Sequence, residues 1–551
     1  MFNLESTHVS AVLLAMMMAT LIHFSMWGVT RNIFKHLLLL ALFPFLLTGL
    51  TLLIPQSFLQ ISLSLFFLYG LTRSVVSIPD LKKSLQAKFL TLSKKEKYTL
   101  GFLTLYLFAY FLNATMIRSG GSIQDALVYH LQGPKEWALF LDGAKFNANN
   151  PISYTTSYYD YYNYYFFLLV KPILNWAIHQ PSTHYEFFTY VMLFVAQLFS
   201  AIIVVLYVPI MIFRLAKDFG LYKYLATFFV IGFFSFTWTW TLPKNDIFPF
   251  FCFLLSVLLL KEKLSISRSF IIGSLIGIGV CSKLTNAYVV IFSILFFFSI
   301  NFKNLLNQYG KSTLFKFILV FIVGGLVGSS AFLMRNATQT NNPFFPIAKF
   351  GFPNVYVSDY ADRPELYSDP TTWKNATEKF VDHTKSNPQL ILILFLALVF
   401  RWPHYTFFYL ALILYMAKQT GPMYGFRMTN SLLVLYLLLF LMIGKKIMTL
   451  DLCRWNKVKI GAFVIFILAC SKIQFEKIYK IPKEHYGLSV EQTLQTHHQN
   501  WNFIISDNLK NYKVKNYAVE TQVEVFPYFS RFPWVSLYDS VPEYRFDYFK
   551  K

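Results

Sequence analysis

Asp125, Tyr129 and His130 lie in the segment Gln124 to Trp137, an acidic and aromatic stretch that follows directly on the apolar run Leu100 to Ile117. A helix beginning near Ser122 places Asp125 and Tyr129 four residues apart on one face. A carboxylate there has two uses. It can cap the helix and meet the positive end of its dipole, the use that spacing alone favours. It can also act as a general base that takes the proton from an attacking hydroxyl group.

Three further constellations carry charge or polarity beside apolar runs. The turn at Lys244, Asn245 and Asp246 is only a few residues long, and a site role and a structural ion pair explain it equally well. Gly273, Gly277 and Gly279 space an apolar run that ends at Lys283, where the glycines suit close helix packing and the lysine needs an anion or a route to the headgroups. Arg335 and Arg427 stand at ends of apolar runs, the first with Asn342 downstream. Helix anchoring is the commoner job for such arginines, and two-point contact with a phosphate is the alternative. Tyr154 and Asp160, from a tyrosine-rich run, are candidates to position hydroxyl groups.

These residues must be held by membrane-crossing elements. Hydrophobic residues make up 56% of the chain and charged residues 14%, against about 25% charged in soluble domains. A helix needs about 20 residues to cross the hydrocarbon layer. Candidate spans fall at 8–28, 36–54, 57–77, 98–117, 186–213, 223–241, 247–260, 269–281, 285–300, 316–333, 388–400, 404–418, 427–444 and 459–471, roughly 14 in all. The expected fold is an all-α polytopic membrane protein.

The net charge of +22 would suggest nucleic acid in a soluble chain, but here the lysines and arginines cluster in short segments between apolar runs. Nucleic acid is therefore not an expected partner; membrane lipids are. Alternation of the spans places every basic cluster on one side, from Arg31 and Lys35 through Lys82 to Lys97, Arg214 to Lys223, Lys261 to Arg268 and Lys445 to Lys459, which makes that side cytoplasmic. The alternation requires that Tyr161 to Ile178 does not cross, so this run is expected as a surface-lying or re-entrant helix. The polar segments 118–185, 335–387 and 472–551 then share the opposite face, the last as a small soluble region.

Cys252, Cys281, Cys453 and Cys470 lie within or beside apolar runs and suggest neither disulfides nor a metal site. His485, His497 and His498 lack the carboxylate or cysteine spacing of a metal centre. No basic leader precedes the first apolar run, so that span is expected to remain.

Taken in order, the motifs resemble the GT-C superfamily of membrane glycosyltransferases, especially the bacterial branch related to protein mannosyltransferases and lipid A sugar transferases. Asp125 to Leu131 followed by Trp137 looks like the first external loop of that branch, and the aromatic helix after it looks like its juxtamembrane helix. The turn at Lys244 to Asp246, the run Gly277 to Thr285 and the stretch Thr340 to Pro346 are similar to further family elements. The match covers about Tyr98 to Ile447, leaving 1–97 as extra spans with a basic loop, 98–471 as the catalytic membrane domain and 472–551 as an addition.

The resemblance implies an inverting transfer from a polyprenyl-phosphate-linked sugar donor to a lipid, glycan or protein acceptor, on the periplasmic face of a bacterial inner membrane. Asp125 would be the base. Tyr129, His130, Tyr154, Asp160, Lys244, Asn245, Asp246, Lys283, Arg335, Asn342 and Arg427 would contact donor or acceptor. Many relatives carry two adjacent acids in the first loop, whereas Gln124 precedes Asp125 here. The second acid is thus left between Asp160 and Asp246, and the need for a divalent cation stays open. The rival readings are a lipid or oligosaccharide transporter, against which the absence of an inverted repeat speaks, and an O-antigen ligase or polymerase.

Overall fold

The computed structural model describes residues 7–115, 130–139, 141, 157–180, 182–231, 246–283, 286–344, 374–378, 381, 388–419, 431–449, 517–519 and 534–536. Asp125, Tyr129, Tyr154, Lys244, Asn245 and Arg427 lie outside the described residues, as does the candidate span at 459–471.

The chain opens with three long helices, α1 (Thr7–Thr30), α2 (Ile33–Leu53) and α3 (Gln56–Leu90). Arg31 breaks the first from the second with a φ of 48°, and the Asn32 side chain caps α2 by accepting from the N–H groups of Phe34 and Lys35. α4 (Lys94–Leu112) starts four residues before the expected span because Ser93 and Glu96 form a reciprocal capping box. Then come α5 (Gln132–Leu139), α6 (Asp160–Ile178) and α7 (Ser182–Ile202), the last continuing through one π turn into α8 (Val208–Leu215).

The remainder comprises α9 (Tyr222–Ile231), α10 (Ile247–Leu260), α11 (Ile266–Ser282), α12 (Asn286–Tyr309), α13 (Lys311–Thr340), α14 (Pro388–Val399), α15 (Pro403–Gln419) and α16 (Leu432–Thr449). Two short parallel strands, Tyr517–Val519 and Trp534–Ser536, pair in the C-terminal region.

Among the described residues, six helices are long and apolar enough to cross a membrane: Val9–Thr30, Ile33–Leu53, Gln56–Leu90, Phe187–Leu215, Asn286–Tyr309 and Lys311–Gln339. Tyr222–Ile231, Ile247–Leu260 and Ile266–Ser282 are apolar but shorter. α6 is not among the six; it carries Asp160, Asn163 and Lys171.

The glycines of α11 work in packing. A Cβ on Gly273 or Gly277 would overlap the carbonyl oxygens of Phe321 and Gly325, and one on Gly328 would overlap that of Ser274. Only glycine lets the two backbones approach so closely. The contact points advance together along both chains, so α11 and α13 run parallel and bring Lys283 and Arg335 to the same end.

The other end gathers the basic turns. Lys223 Nζ lies 3.0 Å from Glu96, joining the starts of α9 and α4. Lys261 donates to the Leu215 carbonyl at 3.0 Å and lies 3.5 Å from Asp218. The Leu264 N–H donates to the Tyr309 hydroxyl at 3.3 Å, and Gly444 sits against the Tyr222 ring.

Candidate functional site

At the end opposite the basic turns, the N-terminus of α6 brings two of the expected site residues together. His130 Nδ1 lies 2.6 Å from Asp160 Oδ1, with side-chain exposures of 3% and 0%. The other Asp160 oxygen accepts from the Ser157 backbone N–H at 2.6 Å and from its hydroxyl at 3.2 Å. A carboxylate only accepts, so opposite an ionised Asp160 the His130 ring donates from Nδ1. Asn163, one turn on from Asp160, donates to the His130 carbonyl at 2.7 Å and holds the backbone in place.

His130 leads into α5, which is buried throughout Gln132 to Ala138. Gln132 donates to Glu136 within the helix, and Gln56 at the start of α3 donates to the Ala138 carbonyl at 2.8 Å. Lys135 lies over the Tyr185 ring, and burial pulls its ammonium down to about 7 against the opposing pull of Glu136.

Arg335 closes the cluster from α13. It is 1% exposed, and its guanidinium carbon sits 5.0 Å from the centre of the Trp137 ring and 6.0 Å from that of Tyr161. An arginine packed against a pair of neighbouring aromatic rings is in a cation–π setting, unlike one that reaches to headgroups. The expected anchoring role therefore gives way to a buried one.

Tyr158 accepts from the Phe332 N–H at 2.9 Å, three residues before Arg335, and Tyr159 faces Phe248, two residues after Asp246. The Ser157 to Asp160 turn thus spans the gap between α13 and α10. Asp246 is buried and pairs with Lys283. Lys244, the partner that the turn itself offers, lies outside the described residues. The anion that Lys283 needs is a carboxylate of this chain.

Asn342 serves the end of α13. Asn341 turns left-handed at a φ of 56°, and Asn342 Oδ1 then accepts from the Phe344 N–H at 2.9 Å. Asn286 accepts from the Ser431 backbone N–H at 3.4 Å and tethers the starts of α12 and α16.

Spacing alone does not mark Ser157, Asn163, Lys135, Glu136, Trp137 or Tyr161 as site residues. A signal for the first was present, since Ser157 and Asp160 have the spacing of a capping box. Among the described residues no three His, Cys, Asp or Glu side chains converge as a metal site. Cys252 and Cys281 are buried free thiols.

Long apolar helices enclosing a charged cluster at one end define a polytopic α-helical membrane protein. No family model, curated protein or solved structure matches the chain.

Proposed function

We propose that this protein is a GT-C-type glycosyltransferase that moves a sugar from a polyprenyl-phosphate-linked donor to a cell-envelope acceptor, at the membrane face opposite its basic turns. That face is taken as the periplasmic side of a bacterial inner membrane, because basic turns stay cytoplasmic. The observation that carries the reading is the buried His130–Asp160 pair, five residues from Asp125 in the chain and joined through α5 and Tyr161 to the stacked Arg335.

In the proposed step, Asp125 takes the proton of the acceptor hydroxyl as that oxygen attacks the anomeric carbon with inversion. The bond from that carbon to the donor phosphate oxygen breaks, and the polyprenyl phosphate leaves with the electron pair. Arg335 and Arg427 stabilise the negative charge that grows on the phosphate. Lys283 joins them only when its pair with Asp246 opens. Asp160 holds the His130 ring, and Tyr129, Tyr154, Asn245 and Lys244 position hydroxyl groups of sugar or acceptor.

The reading is tested by comparing cell-envelope glycans and lipids by mass spectrometry with and without the protein. Loss of one glycosylated species, restored by the wild-type chain and not by Asp125→Asn, supports it. Purified protein that carries a labelled lipid across vesicles and forms no glycosidic product would identify a transporter instead.

A further inference from the structure

The last third of α3 has a use that the proposed transfer reaction leaves unexplained. α3 runs unbroken for 35 residues. At 1.5 Å per residue that is about 50 Å, against a hydrocarbon layer of about 30 Å. Arg73 stands at its midpoint and its other charged residues, Asp80, Lys82, Lys83 and Lys88, all fall in its last third, so this is the end that leaves the layer. Pro79 removes one backbone donor at the boundary between the apolar and the charged part.

Beyond that boundary the helix is amphipathic. Ile78, Leu81, Leu85 and Phe89 recur at helical spacing and form one apolar stripe. Ile78, Leu85 and Phe89 are 45%, 58% and 50% exposed and Leu81 is half-buried, so most of the stripe stays open among the described residues. Lys82 and Lys88 flank it on its two sides, Lys83 adds a third charge, and Asp80 falls on the opposite face. Lys94, Lys95 and Lys97 follow at the start of α4, with Lys97 Nζ 5.2 Å from the centre of the Phe89 ring.

We propose that residues 78–90 form a docking surface for anionic phospholipid headgroups: with α3 tilted by about 35°, its length fits within the roughly 40–45 Å of bilayer plus headgroups, so the apolar stripe faces the headgroup region and Lys82, Lys83 and Lys88 meet phosphate there. The lysine stems are long enough to lie along the stripe while their ammonium groups reach outward. An apolar stripe rimmed by lysines matches a negatively charged membrane surface in both polarity and sign. Docking there fixes the depth of α3 and, through the short link at Thr91 to Ser93, the start of α4.

The test uses the full-length protein in detergent, incubated with phosphatidylglycerol or phosphatidylcholine, with bound lipid counted by native mass spectrometry. The wild-type chain is expected to retain phosphatidylglycerol over phosphatidylcholine and to release it as salt is raised. Each basic residue near an anionic surface is worth about fivefold in binding, so the triple change Lys82→Gln, Lys83→Gln and Lys88→Gln should cut retention at least about tenfold. The matching triple change to Arg should preserve it. Leu85→Gln with Phe89→Gln should weaken retention while leaving the lysines in place. Equal retention of both lipids by the wild-type chain, or unchanged retention in the Gln triple variant with an unchanged melting profile, overturns the proposal. In that case an acidic protein surface becomes the partner to seek.

Discussion

Replacing Asp160 tests whether a buried charge organises the site. Asp160 meets His130 Nδ1 at 2.6 Å on one oxygen and the Ser157 N–H at 2.6 Å on the other. Asp160→Asn keeps the shape and removes the charge. The amide oxygen can still accept from Ser157, while the amide nitrogen must donate to His130 Nδ1 and so forces the ring proton onto Nε2. The two charge-assisted bonds at 2.6 Å, of about 1.5–3 kcal/mol each, become neutral bonds of about 0.5–1.5, a loss of about 2–3 kcal/mol from these two, while the longer bond from the Ser157 hydroxyl is weakened in the same direction. Asp160→Ala leaves the Ser157 N–H and the His130 ring without this partner in a buried setting, for a loss of about 3–5 kcal/mol. Melting of the full-length chain in detergent, followed by tryptophan fluorescence, should rank wild type above Asn and Asn above Ala. Midpoints are compared as a series, since a membrane protein of this size need not unfold in two states. An Ala variant that melts with the wild type would refute the pair.

Three further outcomes are expected. Gly277→Ala should weaken the α11–α13 contact because its Cβ meets the Gly325 carbonyl, whereas Gly325→Ala, whose nearest neighbour is 3.7 Å away, should be tolerated; yield of monodisperse protein separates the two. Arg335→Ala should weaken binding of polyprenyl phosphate more than Arg335→Lys, which keeps the charge and loses the planar face, and wild-type affinity in the Ala variant would remove Arg335 from the phosphate contact. Lys135 is held near 7 in the folded chain and returns to about 10.4 when unfolded. The unfolded chain therefore binds more protons between these values, and stability should rise with pH from 7 to 10. In Lys135→Met that rise should flatten, as read by melting midpoints across the range.

The helices were legible wherever an apolar run is long, as in α1, α2, α12 and α13, because crossing a membrane demands continuous apolarity. Their ends were less so. The span expected at 57–77 continues to Leu90, since nothing in Lys82, Lys83 or Lys88 opposes helix once the chain has left the layer. The span expected at 285–300 likewise continues to Tyr309. Packing by the glycines of α11 was legible because their spacing has a single common use, and their partner α13 was not.

In the site, residue types were legible and partners were not. Asp246 and Lys283 stood in separate constellations 37 residues apart, yet each is the counter-charge of the other. His130 and Asp160 are 30 residues apart, and no local rule joins them. Arg335 reads as a helix-end arginine until Trp137 and Tyr161, from two other elements, are seen packed together beside its guanidinium. Long-range partnerships of this kind depend on how helices cross, which periodicity leaves free.

The central proposal turns on Asp125 and the face it occupies. The most direct measurement is transfer of a radiolabelled sugar from polyprenyl phosphate to envelope lipids or glycans by the purified protein in proteoliposomes, with wild type and Asp125→Asn side by side. The expected result is a glycosidic product with the wild-type chain and a rate lower by about 10²–10⁴ with the variant, the range that a general base supplies. Transfer at the wild-type rate by Asp125→Asn would contradict the assignment of the base, and movement of the labelled lipid across the vesicle with no product from either chain would contradict the enzyme.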